Sequence, residues 1–331
     1  MDGSQSYTLV MKNWLKLFRW PNLLMIAATQ LLMRHCIIGS ILGINHFVLQ
    51  SSGFEFSILM FATLLIAAGG YAINDYHNTH ADRVNKGESI IVGKLLSKQQ
   101  VLNVYIVLTL SALVGIAWLS FRFNMLSLFS LFCIVSGLLW YYSATNNKVL
   151  LAGNIMIAIL TGLVPFLVAI VEIPLIHEAF LLILVQNPYA FMPVLWWVTA
   201  FSLFAFSLTL LREIVKDLED MPGDIGSGRT TLPILIGSKV TRIIAVIIAF
   251  CIMICLAWCY YRYLRYSTNG IDLISLVYLS VAVIAPLLWS SVILSMHDNV
   301  KAYKRVSLLI KTAMLGGMGY AVVFCYIVKT A

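Results

Sequence analysis

Two stretches of the chain place acidic and amide side chains at one shared spacing. The first runs Asn74-Asp75-Tyr76-His77-Asn78-Thr79-His80-Ala81-Asp82 and the second Asp217-Leu218-Glu219-Asp220-Met221-Pro222-Gly223-Asp224. Asp75, Asn78 and Asp82 step by three and then four, as do Asp217, Asp220 and Asp224. On a helix that spacing aligns three oxygen-bearing side chains on one face. Carboxylates and amides are the hard ligands of Mg2+, which keeps to one or two carboxylates per ion and completes its shell with substrate phosphate oxygens. Two such stripes facing each other are expected to hold a metal-bound diphosphate. The cations among them, Arg83, Lys86, Arg212, Lys216 and Arg229, would neutralise charge on the leaving group. Eight of the 14 acidic residues fall within residues 75–88 and 213–224, so negative charge is concentrated at the ends of apolar segments.

The elements that carry these stripes follow from composition. Hydrophobic residues make up 61% of the 331 positions and charged residues 11%, against roughly 25% charged in an ordinary soluble domain. The solvent for most of the chain is therefore lipid. Runs long enough for a helical span of about 20 residues occur near 21–43, 56–73, 101–120, 125–143, 150–171, 192–211, 240–261, 272–295 and 307–328. The expected fold is all-α, a polytopic bundle of nine transmembrane helices, with 1–331 as a single domain because no linker or compositional shift divides it. Residues 172–191, interrupted by Glu172, Pro174, His177, Glu178 and Pro188, read as an outer loop with a short interfacial helix.

With a cytoplasmic N-terminus, 17 of the 22 Lys and Arg residues lie on the cytoplasmic face, all but Arg34, Arg122, Arg262, Arg265 and Lys329. That bias sets the orientation and puts both acidic stretches toward the cytoplasm. The net charge of +8 is explained by juxtamembrane cations facing anionic lipid, so the bilayer and not nucleic acid is the partner it implies. No cleavable signal peptide precedes the first span, which is expected to serve as its own insertion signal.

All six cysteines fall in apolar spans. Cys251, Cys255 and Cys259 share a helical face but have no His or charged partner nearby, and they read as small packing residues. His77 and His80 flank the first stretch and read as interfacial polar residues. Arg34-His35 lies within the first span, where a charge is costly; a polar contact inside the bundle and snorkelling outward are both open. Trp140, Tyr141, Trp196, Trp197 and Trp258 read mostly as interface belts. A faint internal repeat appears as well: each acidic stretch leads into a polar loop, and the next span resumes after Val92-Gly93-Lys94 or Ile236-Gly237-Ser238.

A diphosphate at the mouth of an apolar bundle, its tail among Leu, Ile, Phe and Met side chains, is expected to be that of an isoprenoid. Metal and basic residues would draw electrons from the C–O bond, and an acceptor would capture the allylic cation. A hydroxyl or an electron-rich ring can both do so. A transporter would instead carry ionisable residues near the midplane of several helices, and a non-catalytic lipid-binding protein would not need paired metal-type ligands.

The same residues resemble a known family. Asn74-Asp75 through Asp82-Arg83, with Asn85-Lys86 following, is similar to the first motif of the UbiA superfamily of intramembrane prenyltransferases, Asn-Asp-x-x-Asp-x-x-x-Asp, and Asp217 through Asp224 is similar to the second. Arg19 and Asn22, Tyr142-Ser143 with Lys148, and Gly153-Asn154 extend the likeness over nearly the whole chain. The resemblance implies a Mg2+-dependent transfer of an isoprenyl group from a prenyl diphosphate donor to a lipophilic acceptor. It implies metal ligation and catalysis by Asp75, Asp82, Asp217, Asp220 and Asp224, with Asn78 among the metal ligands. It also implies substrate binding by Asn74, Asn78, Arg83, Lys86, Tyr142, Lys148, Asn154, Arg212 and Lys216. The stretch Arg212 to Asp220, followed by Gly223-Asp224, Gly228 and Thr231-Leu232-Pro233, is most similar to the branch that prenylates the hydroxyl of a glycerol phosphate ether lipid. The alternative is the branch that prenylates aromatic rings in quinone biosynthesis. Two positions depart from the pattern. Asn78 stands where the family has Asp, and Asn85-Lys86-Gly87-Glu88-Ser89-Ile90 lacks the family's second loop Arg, leaving Lys86 or Lys94 as substitutes.

Overall fold

The computed structural model of the chain describes residues 11–44, 46–79, 91–145, 151–187, 189–226, 228–267 and 270–330. Among them nine helices are long and apolar enough to cross a membrane: α1 (Trp20–Ile44), α2 (Gly53–His77), α3 (Lys98–Arg122), α4 (Leu126–Ala144), α5 (Ala152–Ala179), α6 (Met192–Gly226), α7 (Ser238–Leu264), α8 (Leu273–Met296) and α9 (Val300–Thr330). Short helices, Leu181–Gln186 and Leu232–Ile236, precede α6 and α7. Tyr266–Ser267 pairs antiparallel with Gly270–Ile271 between α7 and α8. The fold is the all-α, multi-pass membrane architecture that the apolar runs predict.

Local chemistry sets the helix starts. Ser52 and Glu55 form a reciprocal capping box at α2, and Ser97 with Gln100 does the same at α3, each satisfying backbone donors that the first turn leaves open. Asp272 accepts from the Ser275 N–H at the start of α8. Gly237, at φ 84°, begins α7 in a conformation that side chains disfavour.

By contact the chain divides into two compact units. Unit 1 comprises Met1–Ala28, Ser51–Lys148 and Pro222–Arg229, and unit 2 comprises Thr29–Gln50, Val149–Met221 and Thr230–Ala331. In unit 1, α2 packs along α3 and against α4. Gly70 permits close approach, since a Cβ there would meet Leu139 at 3.1 Å. Arg122, ending α3, pairs with Glu55 at 3.2 Å. Beneath the end of α2, Leu17, Ala72, Ile91, Val92, Leu96 and Val101 form an apolar cluster that Trp14, Phe18 and Tyr76 flank.

In unit 2, α9 packs on α8 and on the 33–44 stretch of α1, and α7 packs on α8. Glycine is required where α9 meets α6, because a Cβ on Gly317 would overlap the Phe204 ring at 2.0 Å. The turn between α8 and α9 is stapled. Arg242 of α7 bonds the Leu294 carbonyl at 3.0 Å and the Asp298 carboxylate at 3.0 Å, while Ser238 and Tyr303 also donate to Asp298.

Two expectations are corrected, and the alternative left open for Arg34 is settled. Residues 172–179 are not loop: α5 carries through Pro165 and Pro174 to Ala179, as membrane helices tolerate when their neighbours satisfy the freed backbone groups. Glu172 is thus 1% exposed, and its carboxylate accepts from the Gln50 N–H at 2.5 Å. Arg34 lies inside the protein, 4% exposed, within a π-helical turn of α1 spanning Met33–Ile38. Trp197 is not a belt residue, since its ring lies 4.2 Å from Phe324 and 6.5 Å from Tyr320. Trp140, Tyr141, Trp196 and Trp258 are exposed as belt residues would be.

Candidate active site

The last turn of α2 presents Tyr71, Asn74 and Asp75, three and four residues apart, and then the helix stops at His77. Asn78 is its C-cap at φ −88°, ψ 9°, with its N–H still bonded to the Asn74 carbonyl. The stripe expected to run Asp75, Asn78, Asp82 on one helix is therefore broken after Asp75. His80, Asp82, Arg83, Asn85 and Lys86 lie outside the described residues, as does Lys148.

Asp75 is buried and receives Arg19 at 3.2 Å. The Arg19 guanidinium also lies 4.8 Å over the Tyr71 ring, whose hydroxyl accepts from Asn22 at 3.3 Å. Arg19 holds this position with φ 51°, a left-handed backbone that a long side chain adopts at a cost of about 1–3 kcal/mol. That strain marks the turn entering α1 as one fixed by its contacts.

Asn78 donates its amide N–H to the Asn74 side-chain oxygen at 3.0 Å. Its own oxygen accepts from Arg229 at 2.7 Å, and Arg229 also bonds the Asp224 carboxylate at 3.3 Å. Within unit 1, then, one guanidinium joins the first acidic stretch to the last residue of the second. The cation at the Asn78 oxygen is Arg229. The Nε of Arg229 is buried and has no hydrogen-bond partner among the described residues.

Asp217 through Met221 belong to unit 2. The helix α6 that carries them continues unbroken past Pro222 to Gly226. Asp217 accepts from Asn154, on the first turn of α5, at 2.7 Å. The residue before that turn, Leu151, has φ 53°, a second strained backbone beside a candidate side chain. Arg212 bonds Glu213 at 2.9 Å, and its Nε is likewise buried without a partner among the described residues. Lys304 of α9 joins Lys216 and Arg212 close enough to act on the charge of Glu219, as does Asp220. Tyr142 is half-buried on the last turn of α4. Sequence reasoning missed Tyr71, four residues from Asp75, and Lys304; helical spacing was a signal for the first, and none existed for the second.

Among the described residues no three His, Cys, Asp or Glu side chains group closely enough to hold a metal ion. The donor chemistry nonetheless suits Mg2+, which takes few carboxylates and fills its shell with water and phosphate oxygens. Asp75, Asp217, Asp220 and Asp224 are hard oxygen donors of that kind; Asp75 sits beside Arg19, Asp217 beside Asn154 and Asp224 beside Arg229.

Residues 36–315 match the model described as the UbiA prenyltransferase family. The digeranylgeranylglyceryl phosphate synthase of Methanobrevibacter smithii is 29% identical over 78% of this chain and 82% of its own. That of Saccharolobus solfataricus is 31% identical over 68% and 74%, and that of Sulfolobus acidocaldarius 26% over 88% and 94%. A solved structure from work on digeranylgeranylglyceryl phosphate synthase in membranes has a TM-score of 0.62 at 20% identity, covering 97% of this chain and 99% of that one, a likeness of fold.

Proposed function

The chain belongs to the UbiA prenyltransferase family, and from that premise we propose that it joins an isoprenyl group, carried in as its diphosphate, to the hydroxyl of a glycerol phosphate ether lipid. The names of its relatives support that acceptor. The observation that carries the site assignment is the bridge through Arg229, which ties Asn78 of the first motif to Asp224 of the second.

Asp75, Asp82, Asp217, Asp220 and Asp224 are the proposed Mg2+ carboxylates, with Asn78 reassigned to positioning Arg229. Bound there, Mg2+ would supply Lewis-acid polarisation of the diphosphate as it leaves. Arg229 and Arg212, each with an Nε that has no hydrogen-bond partner among the described residues, offer charge-assisted hydrogen bonds to phosphate oxygens. Lys216 adds a point charge, and Arg83, Lys86 and Lys148 are proposed to do the same. Asn154 orients Asp217 by its amide N–H, and Arg19 orients Asp75. Asn74 holds Asn78, and Tyr142 is assigned to the substrate pocket on the family likeness.

We take residues 1–331 as one catalytic domain, a reading the family match supports by running through residues of both units. The Lys/Arg bias supports a cytoplasmic N-terminus and a cytoplasmic active site. An impermeant thiol reagent should label Ser97→Cys from the cytoplasmic side alone and Ser267→Cys from the other alone; labelling of both from one side overturns the orientation. The reaction is tested with purified protein in vesicles, given a prenyl diphosphate, Mg2+ and either the glycerol phosphate ether lipid or an aromatic acceptor. Pyrophosphate release and a product heavier by one isoprenyl group are expected with the ether lipid. Turnover of the aromatic acceptor alone would overturn the assignment.

A further inference from the structure

Two cysteines that take no part in the proposed reaction meet in unit 2. Cys36 lies in the π-helical turn of α1 and Cys325 near the end of α9, and these stretches pack together. The two thiols are near enough for Cys325 to act on Cys36. Ser40, one helical turn beyond Cys36, donates its hydroxyl to the Cys325 sulfur at 3.2 Å. Two successive positions on one face of α1 thus fix where that sulfur sits. Lys329, four residues beyond Cys325, is near enough for its charge to act on Cys36. Both cysteines are reduced and half-buried, which leaves an approach for a reagent dissolved in lipid.

The other cysteines make no such pair. Cys251, Cys255 and Cys259 follow one another by four residues along α7, where Cβ atoms stand about 5–6 Å apart. A disulfide needs Cβ atoms within about 3.5–4.5 Å, so neighbours on one helix cannot close. Cys36 and Cys325 approach from two helices and face each other.

We propose that Cys36 and Cys325 form a modification site, a thiol pair that a lipid-soluble organic disulfide oxidises to a bond clasping α1 to α9. One protein thiolate attacks the reagent's S–S bond and expels one thiol, leaving a mixed disulfide. The second protein thiolate attacks the protein sulfur of that mixed disulfide and expels the other thiol. The two protons given up by the cysteines leave on the two released thiols, and the two electrons reduce the reagent's S–S bond. Bond formation brings the two sulfurs to about 2.05 Å.

The experiment uses the full chain in vesicles, with Cys133, Cys251, Cys255 and Cys259 changed to Ser so that the pair stands alone. It is treated with dipyridyl disulfide, denatured, alkylated with a maleimide and weighed. The expected product has lost two hydrogens and carries neither a pyridyl nor a maleimide group. Adding Cys36→Ser or Cys325→Ser should leave the remaining cysteine as a pyridyl adduct. In the unmodified chain, digestion without reductant should yield a peptide linked through Cys36 and Cys325, which guards against misfolding of the Ser variants. Two pyridyl adducts, or two alkylated thiols, together with absence of the linked peptide, overturn the proposal.

Discussion

At the end of α2 the helix stops within the first acidic stretch, whereas α6 runs unbroken through the second. Asn78 leaves the helix as a C-cap and turns its oxygen to Arg229, so the polar groups near Asp75 are locked by arginines and amides from several segments. Asp217 and Asp220 instead stay on an unbroken helix, Asp217 accepting from Asn154 and Asp220 beside Glu219, on whose charge Arg212, Lys216 and Lys304 also act. Equal spacing has been put to two uses. One stretch closes a clasp on a cation, and the other is a helix face that displays carboxylates among cations. The clasp should therefore fail sharply when any one member is lost, and the face should fail chiefly when a carboxylate is lost.

The largest effects are expected at the carboxylates themselves. Asp75→Ala and Asp217→Ala should each lower turnover by on the order of 10² to 10³, the usual cost of one electrostatic stabiliser, in protein that still purifies as a folded species. Next comes the clasp. Arg229→Ala removes charge-assisted hydrogen bonds worth roughly 1.5–3 kcal/mol each, so KM for the prenyl diphosphate should rise by roughly 10- to 100-fold. Arg229→Lys should recover little, because an ammonium cannot bridge Asn78 and Asp224 as a planar fork does. Full activity in Arg229→Ala would reduce the clasp to a structural tie. A smaller effect is expected for Arg19→Lys, which keeps the charge near Asp75 but gives up stacking on Tyr71. That stacking is worth about 1 kcal/mol, so kcat/KM should fall roughly fivefold.

The smallest effect on activity belongs to a carboxylate used as a staple. The hydroxyl of Tyr303 above all, with Ser238 and the Arg242 guanidinium, holds the Asp298 carboxyl below its ordinary range. Its stabilisation is therefore present above the pKa of the unfolded chain and lost as pH falls through the lower, folded value. Asp298→Asn should lower Tm at pH 7 while leaving turnover per folded molecule unchanged. The gap in Tm should close as pH falls toward and below the carboxylate range, and a gap independent of pH would reassign the staple to packing.

The nine spans were legible because lipid demands long apolar helices, and period and length suffice to find them. Their ends were not. Pro174 read as a break because its missing N–H is visible in sequence, while the neighbours that satisfy the freed carbonyl are not. Glu172 read as a loop charge because nothing in the chain announces that the Gln50 N–H will meet it. Spacing located both acidic stretches, yet it describes a face only as far as the helix lasts, and the stop at His77 took Asn78 off that face. The roles of Arg229 and Lys304 depend on segments far apart in sequence, which no local period encodes.

The central claim is that both acidic stretches serve one reaction. Pyrophosphate release, measured at saturating Mg2+ and prenyl diphosphate with the ether-lipid acceptor, tests it in Asp75→Ala, Asp217→Ala and the double variant. Groups that act as a unit are strongly non-additive, so the double variant should be no slower than the worse single one by more than about threefold. Wild-type release by either single variant, or losses that multiply in the double, would contradict it.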